Sequence, residues 1–134
     1  MGTGALTIIT GRDGEYLRMY RQSDGYPSWH GRELFEAFGD FTFSHGLTGR
    51  KNTANGMGCF AAQVVAKFKD GEGGIYLLPC GTRAYDIEYH YHIKYSPDNE
   101  LYIQLSYPTD EEHENILYWG RLAEFGEWLE ANKD

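Results

Sequence analysis

The chain has 134 residues, 41% of them apolar, and its 12 Lys and Arg against 20 Asp and Glu give a formal charge of −8. That length suits one globular domain over residues 1–134, and the apolar share supplies one real core, which excludes a disordered chain. No stretch approaches the ~20 apolar residues of a membrane span, and the start lacks the basic and long apolar regions of a secretory signal.

Residues 5–10 (ALTIIT) read as a strand, and Gly11-Arg12-Asp13-Gly14 is turn chemistry. Residues 15–22 alternate, with Leu17 and Met19 on one face, so a hairpin is expected. Ser28 can cap a short helix running to about Phe38, with Leu34, Phe35 and Phe38 as its stripe and Gly39 as its stop. Phe41-Thr42-Phe43 suits a short strand, and 46–54 reads as a loop. The clearest helix is 56–69. Met57, Phe60, Ala61, Val64, Val65 and Phe68 recur at i, i+3, i+4, i+7, i+8 and i+11, with Asn55 as the expected N-cap and Gly71 as C′.

Residues 74–79 form a short apolar strand. Residues 84–95 alternate strictly: Ile87, Tyr89, Tyr91, Ile93 and Tyr95 share one face, and Glu88, His90, His92 and Lys94 the other. After the turn Ser96-Pro97-Asp98-Asn99, residues 101–107 alternate again. Thr109-x-x-Glu112 fits a helix capping box, yet Ile116-Leu117-Tyr118-Trp119 equally suits a strand. A last helix, about 121–131, presents Leu122, Phe125 and Leu129. The expected fold is α+β: an antiparallel sheet of five or six strands, with the 56–69 helix packed on one face and two further short helices.

Charge is uneven. Residues 1–95 hold ten basic and ten acidic side chains, so the whole excess of acid lies in 96–134. Such a segment keeps a chain in solution, repels phosphate backbones and attracts basic partners. With no basic stripe, direct DNA binding is not expected, and neither is membrane attachment. Leu6 stands where a myristoylation signal at Met1-Gly2 needs Ser or Thr. Cys59 and Cys80 form no C-x-x-C pair, which fits a reduced, cytoplasmic setting.

Four groups of residues can carry chemistry. The loop with Arg21, Asp24, Tyr26 and His30 holds donors, an acid and an aromatic ring next to a strand end, although Asp24-Gly25 and Tyr26-Pro27 also serve simply as a turn. Asn55, Gly56 and Gly58 open the best helix, where free N–H groups favour an anion, although small residues there also suit close packing. Gly56-x-Gly58-x-x-Ala61 matches a dinucleotide fingerprint, but no buried strand leads into it. Were the two loops one pocket, Arg21 would pair a phosphate and Tyr26 stack a base, and Arg21→Ala would lose ligand while the fold survives.

Cys59 lies in the first turn of that helix. Paired with His30 or His45 it would be a nucleophile; left unpaired it is a small buried side chain. Glu88, His90 and His92 point one way from a strand, so they would meet a metal with His45 or His113, or line a solvated sheet face. No cofactor is implied by these patterns.

The strings MGTGALT, YRQSDGYPSWHGREL, NGMGCFAAQVVAKFKDGEGGIY and the PCGTRAYDIEY strand resemble a family of small proteins carried by bacteriophages and prophages. The resemblance runs from residue 1 to about residue 95. It implies a virus-encoded protein acting in the cytoplasm of a bacterial host, and it brings no catalytic residue with it. Gly4 stands where a basic residue is usual and Trp29 where a glycine is usual, so Trp29 suits a protein partner.

Two functional expectations follow. The first is a non-enzymatic inhibitor of a bacterial host protein, in its sharpest form a counter-defence protein acting on a CRISPR effector or another immune factor. Trp29, Glu111, Glu112 and Glu114 would contact a basic, nucleic-acid-binding surface. The alternative is a binder of a small anionic ligand such as a nucleotide, with a Cys59-dependent hydrolase or transferase as a third. The oligomeric state is left open by the sequence.

Overall fold

Two hairpin-like pairs are joined through a parallel contact. A computed structural model describes residues 2–82, 87–109 and 113–133. The strands are β1 (Gly4–Gly11), β2 (Gly14–Arg21), β3 (Thr42–Phe43), β4 (Thr53–Ala54), β5 (Ile75–Leu77), β6 (Ile87–Tyr95), β7 (Leu101–Pro108) and β8 (Glu114–Arg121). The helices are α1 (Arg32–Phe38), α2 (Gly56–Phe68) and α3 (Phe125–Ala131). A π-helical turn at Pro27–Gly31 leads into α1, and a 3-10 turn at Leu122–Glu124 leads into α3. The fold is α+β, as the sequence pattern indicates.

The main sheet has six strands in the order β5-β2-β1-β6-β7-β8. It is mixed, not wholly antiparallel, because β1 and β6 run parallel. Alternation marks a strand but not its direction. The long excursion between β2 and β6, which contains α1, α2 and β5, lets β6 enter beside β1 in the same sense. The pair β3–β4 forms a separate parallel bridge: β3 lies in the short strand expected at 41–43, and β4 falls in the stretch 46–54 expected to be a loop.

The sheet's two faces are unlike. Ala5, Thr7 and Ile9 of β1 are in register with Met19 and Leu17 of β2 and with Tyr89, Tyr91 and Ile93 of β6, and this face is buried beneath the helices. Phe60 and Val64 of α2 are fully buried against β1 and β2, while α3 packs on β8 and on α1. Burying side chains of this size contributes about 1.5–3 kcal/mol each. Arg32 of α1 and Glu130 of α3 pair at 2.9 Å. A Cβ at Gly126 would lie 2.5 Å from the Phe35 ring, so only glycine lets α3 approach α1 this closely.

Several local expectations shift. Asn55 does not cap α2: its Oδ1 accepts from the Gly46 N–H at 3.0 Å, tying the preceding loop instead. Lys69 ends α2 in an extended conformation, and Gly71 sits beyond it at φ +71°. Ser28 lies inside the π-helical turn and makes no cap. Thr109 donates to the His113 carbonyl, so a β7–β8 hairpin takes the place of a capped helix. Residues 84–86 of the expected strand lie outside the described residues.

Candidate functional site

The Arg21 loop is tied inward. Arg21 is the last residue of β2, on the helix-covered face, and its side chain is 15% exposed. Its Nη1 donates to His30 Nδ1 at 3.0 Å and to Glu33 Oε1 at 3.0 Å. The guanidinium lies 5.6 Å from the centre of the Phe68 ring. His30 is completely buried; its Nε2 is 2.8 Å from Thr7 Oγ1, and its ring packs against Phe68 and Tyr91. Burial, then the nearby Arg21 charge, push the His30 pKa down to about 3, so the imidazole is neutral. Arg21 and His30 therefore form a polar strut between sheet and helices. Their donors and acceptors are aimed at one another.

The remaining members of that loop do less. Asp24 occupies a turn at φ +60° and is half-buried. Tyr26 meets Trp29 edge-on at 6.3 Å between ring centres, and Trp29 is 50% exposed.

The two loops expected to form one pocket lie at opposite ends of α2. Arg21 and His30 contact Phe68, the last residue of that helix, while Asn55 and Gly56 stand at its start. At about 1.5 Å per residue these ends are nearly 20 Å apart. A cleft of about 490 Å³ does lie at the start of α2, lined by Arg12, Phe43, His45, Asn55 and Gly56, but Arg21 and Tyr26 take no part in it. Gly58, two residues on, is exposed, and a Cβ there would lie 3.9 Å from the Tyr16 ring. Cys59 is half-buried, and its Sγ accepts from Gln63 Nε2 at 3.4 Å. His30, against Phe68 nine residues further along α2, is some 13 Å away along the helix axis.

The face away from the helices carries the other polar side chains in rows set by the strand register. One row runs Arg18, Ile8, His92, Gln104, Trp119 across β2, β1, β6, β7 and β8. The next runs Thr10, Lys94, Tyr102, Arg121. Residues 78–82 cross one end of this face: Arg18 is paired with Glu15 at 2.6 Å and donates to the Thr82 carbonyl at 2.9 Å. Leu6 and Ile8 are buried there.

Glu88, His90 and His92 point from β6 toward this face but do not converge. His90 Nδ1 donates to Glu114 Oε1 at 2.5 Å, and Ser106 Oγ donates to the same oxygen at 3.1 Å. His92 Nε2 shares a 2.8 Å hydrogen bond with Thr10 Oγ1. Burial, and then the nearby Lys94 and His90 side chains, lower the His92 pKa to about 4. Each imidazole thus has its own partner, and among the described residues no three His, Cys, Asp or Glu side chains are grouped as a metal site. Glu111 and Glu112 lie outside the described residues, and Glu114 is bonded to β6 and β7.

Beside His92 the sheet opens into a cleft of about 590 Å³, lined by His92, Lys94, Gln104, Tyr102 and Trp119 and closed at one end by the Ser96–Asp98 turn. Trp119 is 63% exposed, and its ring lies 5.3 Å from that of Tyr102. Tyr102 donates to Asp98 Oδ2, and Ser96 Oγ donates to the other carboxylate oxygen, Oδ1. Sequence reasoning singled out His92, as a metal candidate, but missed Lys94, Tyr102, Gln104 and Trp119 as members of a site. Alternation on 101–107 signals that Tyr102 and Gln104 share a polar face, but only the register aligns that face with Trp119.

No described helix is long and apolar enough to cross a membrane. Comparison of the chain with protein-family models, with curated proteins and with solved structures found no match.

Proposed function

We propose that the chain is a phage-encoded, non-enzymatic binding protein that inhibits a host factor in the bacterial cytoplasm, engaging a basic protein surface through the β6–β7–β8 part of its helix-free face. One observation carries this reading: Trp119 stands 63% exposed with Tyr102 beside it, on a face that the chain's own helices leave uncovered. Paired aromatic rings of this kind are the usual anchors of protein interfaces. The residues first considered for catalysis or metal binding are engaged with one another, His30 with Thr7 and Arg21, His90 with Glu114, His92 with Thr10. The chain as a whole is acidic, with its excess in residues 96–134, and that favours a basic partner, such as a groove that normally holds nucleic acid.

Counter-defence is the sharpest form of this function, and it rests on the phage-family resemblance. The test is phage challenge of bacterial strains that carry single, defined defence systems. Protection of the phage by the wild-type protein, lost in a folded Trp119→Ala variant, supports the reading. Equal protection by that variant, or none by the wild type, counts against it.

A second reading is favoured by the cleft itself. Its volume lies within the range of small-molecule sites, about 300–1,000 Å³. Trp119 and Tyr102 would stack a planar base, Gln104 would read its edge and Lys94 would meet an anion. Native against denaturing mass spectrometry separates the readings. A few hundred daltons lost on denaturation favours a nucleotide-type ligand, and a bare chain mass favours the protein partner.

A further inference from the structure

We infer that β8 is the contact strand of a two-fold symmetric dimer, in which the β8 strands of two copies pair antiparallel and join their sheets. β8 ends the sheet order, so among the described residues one side of this eight-residue strand has no neighbouring strand for its backbone groups. It contains neither proline nor lysine, two usual protections of such an edge. Two of its large apolar side chains are exposed, Ile116 at 57% and Trp119 at 63%.

The register follows from the side-chain faces. Glu114, Ile116, Trp119 and Arg121 lie on the helix-free face, and Asn115, Tyr118 and Gly120 on the covered one. A bulge makes Leu117 the extra residue beside Tyr118, and Leu117 packs toward the core with it. Directly opposed residues in an antiparallel pair must share a face. Centring the two-fold axis between Leu117 and Tyr118 satisfies this at every pair: Glu114 faces Arg121 of the second copy, Asn115 faces Gly120, Ile116 faces Trp119 and Leu117 faces Tyr118. A bulge in an edge strand usually discourages pairing. Here it brings the two halves of β8 into phase for this one register. The same register sets acid against base at both ends and covers the two exposed apolar side chains with each other. Both helix-free faces then lie on one side of the joined sheet.

The test is light scattering coupled to size exclusion, and sedimentation equilibrium, on the full chain over a wide concentration range. The expected result is twice the chain mass at high concentration. Ile116→Lys and Arg121→Glu should each return the mass to that of one chain while the circular dichroism spectrum is unchanged. Glu114→Arg combined with Arg121→Glu should restore the dimer, because each copy then offers the reversed pair. A wild-type chain that stays monomeric overturns the inference, as does a dimer that persists in Ile116→Lys and Arg121→Glu, or a reversed pair that fails to reassociate. Trp119 serves both readings, and Ile116→Lys keeps it, so phage challenge with that variant separates loss of the dimer from loss of host inhibition.

Discussion

Arg21 fixes the protonation of His30. A guanidinium only donates, so the 3.0 Å contact makes His30 Nδ1 an acceptor and places the ring hydrogen on Nε2, where it donates to Thr7 Oγ1 at 2.8 Å. A neutral imidazole with one defined tautomer is thus part of the core. An added proton would have to sit on Nδ1, facing a permanent cation.

Acid sensitivity follows from that pair. The unfolded histidine has a pKa near 6.5, and the buried one titrates at about 3. Between these values the native chain holds fewer protons than the unfolded chain, so stability is complete above about pH 6.5 and falls as the pH drops. The slope is about 1.4 kcal/mol per pH unit for one such histidine. His92, lowered to about 4, adds a term of the same sign. The carboxylates with lowered pKa, Glu15 among them, lose their contribution only as the pH falls into the ordinary carboxylate range and below it. Urea unfolding midpoints should therefore fall between about pH 7 and pH 5, before carboxylates titrate. His30→Gln should show a shallower fall over the same interval; an unchanged slope would remove His30 as its source.

Arg21→Met removes the donor to His30 and the partner of Glu33 while keeping contact with Phe68. Breaking a largely buried charged network costs about 2–4 kcal/mol. Arg21→Lys keeps the charge but loses the planar fork that serves two acceptors, and a smaller loss is expected. Equilibrium urea unfolding measures both. A variant as stable as the wild type would return Arg21 to the pool of ligand-binding candidates, where its sequence setting first placed it.

Gly25 is held on three sides. A Cβ there would lie 2.6 Å from Ala5 Cβ, 2.8 Å from the Thr3 carbonyl oxygen and 3.0 Å from the Ala5 nitrogen, all on β1 or the residues leading into it. Its N–H donates to the Thr3 carbonyl at 2.9 Å, and its carbonyl accepts from the buried Tyr91 hydroxyl at 2.7 Å. Gly25→Ala should cost about 3 kcal/mol or more, since backbone cannot yield as a side chain can. Tyr91→Phe isolates the hydroxyl and should cost about 1–2 kcal/mol. Gly71→Ala is the control, with open space at φ +71° and a cost of about 1 kcal/mol from conformation alone. Thermal unfolding followed by circular dichroism ranks the three.

Periodicity located most elements because their burial is local in origin. The stripe from Met57 to Phe68 is the buried side of α2, and the alternation from Ile87 to Tyr95 is the two-faced strand β6. The parallel β1–β6 pair was not legible, since nothing in either segment encodes direction relative to a partner some eighty residues away in sequence. The site was legible by residue type and not by use. Arg21 and His30 stand out as chemical groups, yet their burial by Phe68 and Tyr91 turns them inward. Trp119 was hidden twice, by the ambiguity between helix and strand at 116–119 and by the bulge that sets which face it joins.

Trp119 is where stability and binding should part. Its ring is mostly in solvent and touches Tyr102 without entering the core, so truncation should change the unfolding free energy by no more than about 0.5 kcal/mol. Exposed tryptophans that anchor an interface cost about 2 kcal/mol or more of binding when cut to alanine, a loss of thirtyfold or greater in affinity. Trp29, also exposed and paired with Tyr26 near the far end of α2, provides the comparison. A photo-reactive residue placed at Gln104 or at Trp29 reports which face is covered in the bacterial cell. Crosslinking confined to Gln104, with affinity lost only in Trp119→Ala, assigns the partner to the helix-free face. Crosslinking confined to Trp29 would move the partner to the side of the π-helical turn.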